Sequence, residues 1–115
     1  MFWKNPQQRA EDIARKTFDQ LGRDGKVRTA NDLLKLSQYQ RIAHLSGFHG
    51  VPWSQLPEDF SRMIESALQE ILDLEYGVGV LQAHVTIEYS ESFYVDAVFG
   101  TSSSTVKSSW YVTRL

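Results

Sequence analysis

Cysteine is missing altogether from this 115-residue chain. Its absence excludes a disulfide scaffold, a thiolate metal site and a cysteine nucleophile. No apolar run approaches the roughly 20 residues of a membrane-spanning helix. The opening stretch MFWKNPQQRAED holds neither the apolar core nor the cleavage site of a secretory leader, so a soluble cytoplasmic protein is the expectation. No glycine-rich phosphate loop and no nucleophile elbow occur. Histidine is restricted to His44, His49 and His84. His44 and His49 are five apart, off the i, i+4 spacing at which two helical ligands share a face, and no nearby carboxylate completes a set. Neither a metal nor any other cofactor is expected.

What remains suffices for one domain with one core. The net charge of −2 hides an asymmetry. Residues 1–50 carry nine basic against five acidic side chains, a balance of +4, and residues 51–115 carry three against nine, a balance of −6. Such polarity either steers a charged partner or brings basic helices beside an acidic one.

The strongest periodic signal is PEDFSRMIESALQEILDLE, residues 57–75. Phe60, Met63, Ile64, Ala67, Leu68, Ile71 and Leu72 recur at the spacing of one helical face. Pro57 suits a first turn, Glu58 and Asp59 suit the positive end of a helix dipole, and Gly77 suits a helix end. The other face is acidic. Arg62 can offset Glu65, whereas Glu70 and Asp73 have no basic neighbour within the helix.

Upstream, Asn5-Pro6 reads as an N-cap followed by proline at the first helical position, opening a helix over about 6–21 with the stripe Ala10, Ile13, Ala14, Phe18 and Leu21. RDGKVR follows as a basic turn containing Arg23, Lys26 and Arg28. Thr29-x-x-Asp32 is a capping-box pattern that starts a helix over about 30–46. Ser37-x-x-Gln40 is a second such pattern and predicts a break into 30–36 and 38–46. A helix-turn-helix reading is disfavoured, because QYQRIAHLS offers one arginine and the turn lacks the glycine often found there. Phe48 and Trp53, in the loop GFHGVPWSQL, are expected to plug the edge of the core.

After Gly77 the period changes to two. Leu81, Ala83, Val85, Ile87 and Tyr89 alternate with polar residues, as in a half-buried strand over about 80–89. With Ser90-Glu91-Ser92 as a hairpin loop and GTSSS as a second turn, further strands follow over about 93–100 and 105–113. The expected fold is therefore α+β: N-terminal helices and one long amphipathic helix packed on a three-stranded antiparallel β-meander. The meander register puts Ile87, Val95 and Trp110 in one inward row, with Val85 and Phe99 beside it. It puts His84, Tyr94, Asp96, Lys107 and Tyr111 on the outer face. Aromatics and a lysine on a sheet can stack and hold single-stranded nucleic acid, but Glu88 and Asp96 on the same face repel phosphate. His84 with Asp96 is the only acid–base pair this face offers. Thr86 and Ser109 are the nearest hydroxyls, and a flat sheet excludes water poorly, so no catalytic residue is assigned.

The functional expectation is a non-enzymatic protein–protein interaction protein of the inhibitor or immunity type. Glu65, Glu70 and Asp73 would cover a basic site on a protein partner. The alternative is a nucleic-acid-associated protein using the basic turn at Arg23, Lys26 and Arg28. Phe2, Trp3 and any uncovered sheet edge point further to a two-fold dimer.

Overall fold

A computed structural model of the chain describes residues 5–23, 25, 27–40, 44–46, 56–95 and 100–115, with side chains at all of these except 39–40, 89–95 and 100–106. Helix α1 spans Pro6–Arg23, α2 Ala30–Gln40 and α3 Phe60–Tyr76, followed by strands β1 Leu81–Val95 and β2 Gly100–Arg114. The class is α+β, with three helices and a two-stranded antiparallel sheet.

The helix starts are built from local sequence. At α1, the Gln8 N–H donates to Asn5 Oδ1 at 2.8 Å and the Asn5 N–H donates to Gln8 Oε1 at 3.2 Å, a reciprocal cap. At α2, the Asp32 N–H donates to Thr29 Oγ1 at 3.2 Å, and the Asp32 carboxylate accepts the N–H groups of Arg28 and Thr29 at 3.0 and 3.1 Å. Two backbone donors on one carboxylate hold Asp32 below its ordinary pKa of 3.8, the Arg28 N–H first and the Thr29 N–H second. Helix α3 begins three residues later than the proline suggests. Pro57, Glu58 and Asp59 form the turn before it, and the Asp59 carbonyl accepts the N–H groups of Arg62 and Met63. Gly77 ends it at φ 103°, a conformation L side chains rarely adopt, and its N–H donates to the Asp73 carbonyl at 3.0 Å.

The core is one cluster. Ala10, Ile13 and Ala14 of α1 and Leu33 of α2 meet Phe60, Ile64, Ala67, Leu68, Ile71 and Leu72 of α3. Leu81, Ala83, Trp110 and Val112 bring the sheet into the same cluster, with Val85 and Ile87 half-buried against it. Thr17 is a buried polar side chain inside this packing, and its hydroxyl is fully used. It accepts the Ser46 N–H at 2.9 Å and donates to the Ser46 carbonyl at 3.3 Å. The segment 44–46 is held on its other side by His44, whose Nδ1 lies 3.2 Å from the Ser108 carbonyl. A carbonyl only accepts, so Nδ1 carries the proton there.

Two expectations are corrected. Ser90-Glu91-Ser92 is not a turn: these residues lie inside β1 and pair with Thr105, Ser104 and Ser103. None of the three is Gly, Asn or Asp, so nothing supplies the positive φ a tight hairpin turn requires. The GTSSS stretch is likewise within β2. β1 ends at Val95 opposite Gly100, where β2 begins, so among the described residues the sheet has two long strands where three short ones were expected. The register changes accordingly: Trp110 faces Val85, while Ile87 faces Ser108. Ser37 does not break α2 either. It sits within the helix, and its hydroxyl accepts the Val112 N–H at 3.1 Å. That bond to the sheet satisfies the hydroxyl that would otherwise cap a new helix.

The register also sets which backbone groups face outward. Leu81, Ala83 and Val85 in β1, and Val112 and Ser108 in β2, turn backbone groups away from the partner strand, as alternate pairs of an antiparallel ladder do. Helix α3 serves the β1 edge. The Gln69 amide donates to the Leu81 carbonyl at 2.8 Å and accepts the Ala83 N–H at 2.9 Å. One helical turn earlier, Glu65 Oε2 accepts the Val85 N–H at 2.9 Å. On the β2 edge, Ser37 and His44 play the same part at Val112 and Ser108. Exposed edges template unwanted pairing, and side chains of α3, α2 and the segment 44–46 occupy these edge positions.

Candidate interaction surface

The carboxylates of α3 divide by direction. Glu65 turns inward to the Val85 N–H and belongs to the β1 edge. Asp73 is half-buried and accepts the Gln69 amide at 3.0 Å. Glu70 is exposed and, among the described residues, has neither an ion pair nor a side-chain hydrogen bond. Of the three, Glu70 therefore presents its charge outward, Asp73 does so in part, and Glu65 does not.

Beside Glu70 lies a feature that reading the helix stripe missed. Leu74 is 83% exposed and Val78 is 85% exposed. Leu74 is one turn beyond Glu70, and Val78 is two residues past the end of α3. Leu115 is also exposed, and its N–H donates to the Val80 carbonyl at 3.2 Å, placing it at the same end of the molecule. Glu75 is exposed here as well, so three apolar side chains and the Glu70 and Glu75 carboxylates share this end of the molecule. The sequence did carry a signal, since Leu74 falls off the Phe60–Leu72 face and Val78 stands between two glycines. Burial also acts nearby: it raises the Tyr76 hydroxyl above its usual range, with Glu75 and Asp32 adding to the effect. Tyr76 packs edge-on against Phe18, with ring centroids 6.3 Å apart, which ties this end of α3 to α1.

The sheet's outer face is polar and open. His84 stacks on Tyr111 directly opposite, with centroids 4.6 Å apart and planes 13° apart, and His84 Nε2 lies 2.8 Å from Thr113 Oγ1. Glu88 is opposite Lys107, and Tyr94 pairs with Thr101. Thr86 faces Ser109. Asp96 lies outside the described residues, so the His84–Asp96 pair does too. His84 is engaged by Thr113 and Tyr111.

At the basic turn, Arg23 ends α1 and Arg28 precedes α2, both exposed, while Lys26 lies outside the described residues. Phe2, Trp3, Phe48, His49, Trp53 and Phe99 are also outside them, as are the side chains of Tyr94 and Val95. Among the described residues no group of three metal-ligating side chains occurs, and no helix is long and apolar enough to cross a membrane. No protein-family model, curated protein or solved structure matches the chain.

Proposed function

We propose that the chain is a non-enzymatic protein–protein interaction protein of the inhibitor or immunity type, soluble and cytoplasmic. It occludes a partner through the end of α3. Leu74, Val78 and Leu115 form the apolar centre, and Glu70, Asp73 and Glu75 form the acidic rim. The partner offers an apolar recess bordered by Lys or Arg. The observation that carries this reading is the exposure of Leu74 and Val78 beside a carboxylate with no counter-ion among the described residues. A desolvated apolar centre inside a charged rim is the anatomy of a specific interface: the centre sets affinity and the rim sets encounter rate.

The test compares partner capture from the source cell by the wild type, by Leu74→Asp with Val78→Asp, and by Glu70→Lys with Glu75→Lys. The apolar pair should abolish capture, and the charge reversal should slow association in a salt-dependent way. Neither should move the melting temperature. Capture unaffected by the apolar pair contradicts the proposal.

A nucleic-acid role for the basic turn is the second reading. It draws support from Asp32, whose carboxylate is committed to two backbone N–H groups and leaves the Arg28 guanidinium without an ion pair among the described residues. A salt-dependent shift on heparin or DNA, lost in Arg23→Ala with Arg28→Ala, distinguishes it. A two-fold dimer is compatible with either reading. At about 3.4 Å per residue β1 runs to about 51 Å, against about 26 Å for α3, so the hairpin outruns the helix that caps its edge. The start of α3 is level with Ile87, where Leu56, Pro57, Glu58, Phe60 and Ser61 line a hollow with it.

A further inference from the structure

A cleft of about 370 Å³ lies between one face of α2 and the end of β2, lined by Asn31, Leu34, Lys35, Gln38, Val112, Thr113 and Arg114. The α2 positions are i, i+3, i+4 and i+7, so a single helical face forms one wall. Two of the lining side chains are cationic and none is a carboxylate, in a protein whose net charge is −2. The nearest acid along α2 is Asp32, whose carboxylate accepts the Arg28 and Thr29 N–H groups and keeps its charge within electrostatic reach of Lys35.

Arg114 Nη2 donates to Asn31 Oδ1 at 3.0 Å. That bond occupies the Asn31 oxygen, orients its NH₂ group and leaves most of the guanidinium donors free for a ligand. Gln38 adds an amide, while the Thr113 hydroxyl is engaged by His84 Nε2 at 2.8 Å on the sheet's outer face. Leu34 and Val112 supply an apolar floor, closed by the bond from the Val112 N–H to Ser37 Oγ at 3.1 Å. The volume falls at the small end of the range for small-molecule sites.

We propose that this cleft binds a small phosphomonoester. The phosphate is held between Lys35 and Arg114, and the organic part lies over Leu34 and Val112. A dianionic phosphate matches the two cations, and Arg presents its donors as a planar fork that fits phosphate oxygens. The site adjoins the apolar end of α3 through Arg114 and Leu115, but the proposal does not depend on the protein-partner reading.

The experiment titrates the intact protein with phenyl phosphate, inorganic phosphate, phenol and an oligothymidylate. It follows the side-chain amide signals of Asn31 and Gln38 and the Thr113 backbone signal by NMR. Phenyl phosphate should shift all three saturably at millimolar concentration or below, more tightly than inorganic phosphate, and phenol should not bind. Lys35→Ala and Arg114→Gln should each weaken phenyl phosphate by about tenfold, since each removes a charge-assisted contact. Both residues are exposed, so the fold should survive either change. Binding should also weaken as pH falls through about 6, where the phosphate loses its second charge. The proposal is overturned by non-saturable shifts, by binding that survives the double variant, or by a response to oligothymidylate without one to phenyl phosphate. The last result assigns the cleft to a polymer.

Discussion

Replacing Gln69 with alanine removes the amide that closes the β1 edge. Gln69 makes two bonds to that edge, donating to the Leu81 carbonyl and accepting the Ala83 N–H. Neutral hydrogen bonds contribute about 0.5–1.5 kcal/mol each, so the pair is worth about 1–3 kcal/mol. Alanine's better helix propensity returns a few tenths of a kcal/mol. Gln69 is only half-buried, and water can reach the freed groups, which lowers the cost further. The expected loss is about 1–2 kcal/mol. Gln69→Glu is the informative companion. Its carboxylate can still accept the Ala83 N–H, but it faces the Leu81 carbonyl with a lone pair and stands one turn from Asp73. It should be at least as destabilising as alanine at neutral pH and should recover in acid, where a protonated carboxyl donates again. Urea unfolding measures the loss, and hydrogen exchange at the Ala83 amide shows whether that edge opens locally. Unchanged unfolding midpoints together with an unchanged Ala83 exchange rate would refute the edge-capping role.

Leu68 is fully buried in the core cluster, so Leu68→Ala should cost about 2–5 kcal/mol by urea unfolding; a near-neutral result removes α3 from the centre of the core. Asp32 titrates below its ordinary 3.8 in the folded state, so its contribution is present above pH 3.8 and is lost as pH falls through the folded value. Melting temperatures of the wild type and Asp32→Asn should therefore differ at pH 7 and converge below about pH 3.8; a gap that stays constant with pH contradicts this. The dimer is read by light scattering, where a monomer at high micromolar concentration counts against it, and Lys substitutions at 91 and 93 on the outward β1 edge should dissociate it.

Much of the scaffold was legible because it is written in local patterns. The apolar stripe of α3, the Asn5 N-cap, the Thr29–Asp32 cap and the period-two run from Leu81 to Ile87 each depend on neighbours a few residues away. Strand number was not legible, for a physical reason. A hairpin pairing Tyr89 with Phe93 and a continuous strand through both leave the same side chains on the same face, so alternation alone cannot separate them. Only the missing turn chemistry of Ser90-Glu91-Ser92 distinguishes the two. The direction of each carboxylate was also hidden. Glu65, Gln69 and Asp73 form a polar row at four-residue spacing beside the apolar stripe, and such a row looks like an ordinary outer face until a strand edge lies along it. Leu74 and Val78 were visible as apolar residues off the stripe, although the acidic residues around them drew the interpretation.

The central claim is a division of labour along α3, with Glu65 holding the sheet edge and Glu70 and Leu74 facing a partner. The most direct test sets Glu65→Ala beside the double variant Glu70→Lys with Leu74→Asp, and measures urea stability and partner capture on the same samples. Glu65→Ala leaves the Val85 N–H without its acceptor, so it should lose about 1.5–3 kcal/mol, toward the lower end at this half-exposed site, and capture its partner normally. The double variant should keep wild-type stability and lose the partner. The opposite pattern, with capture lost in Glu65→Ala and stability lost in the double variant, contradicts the account.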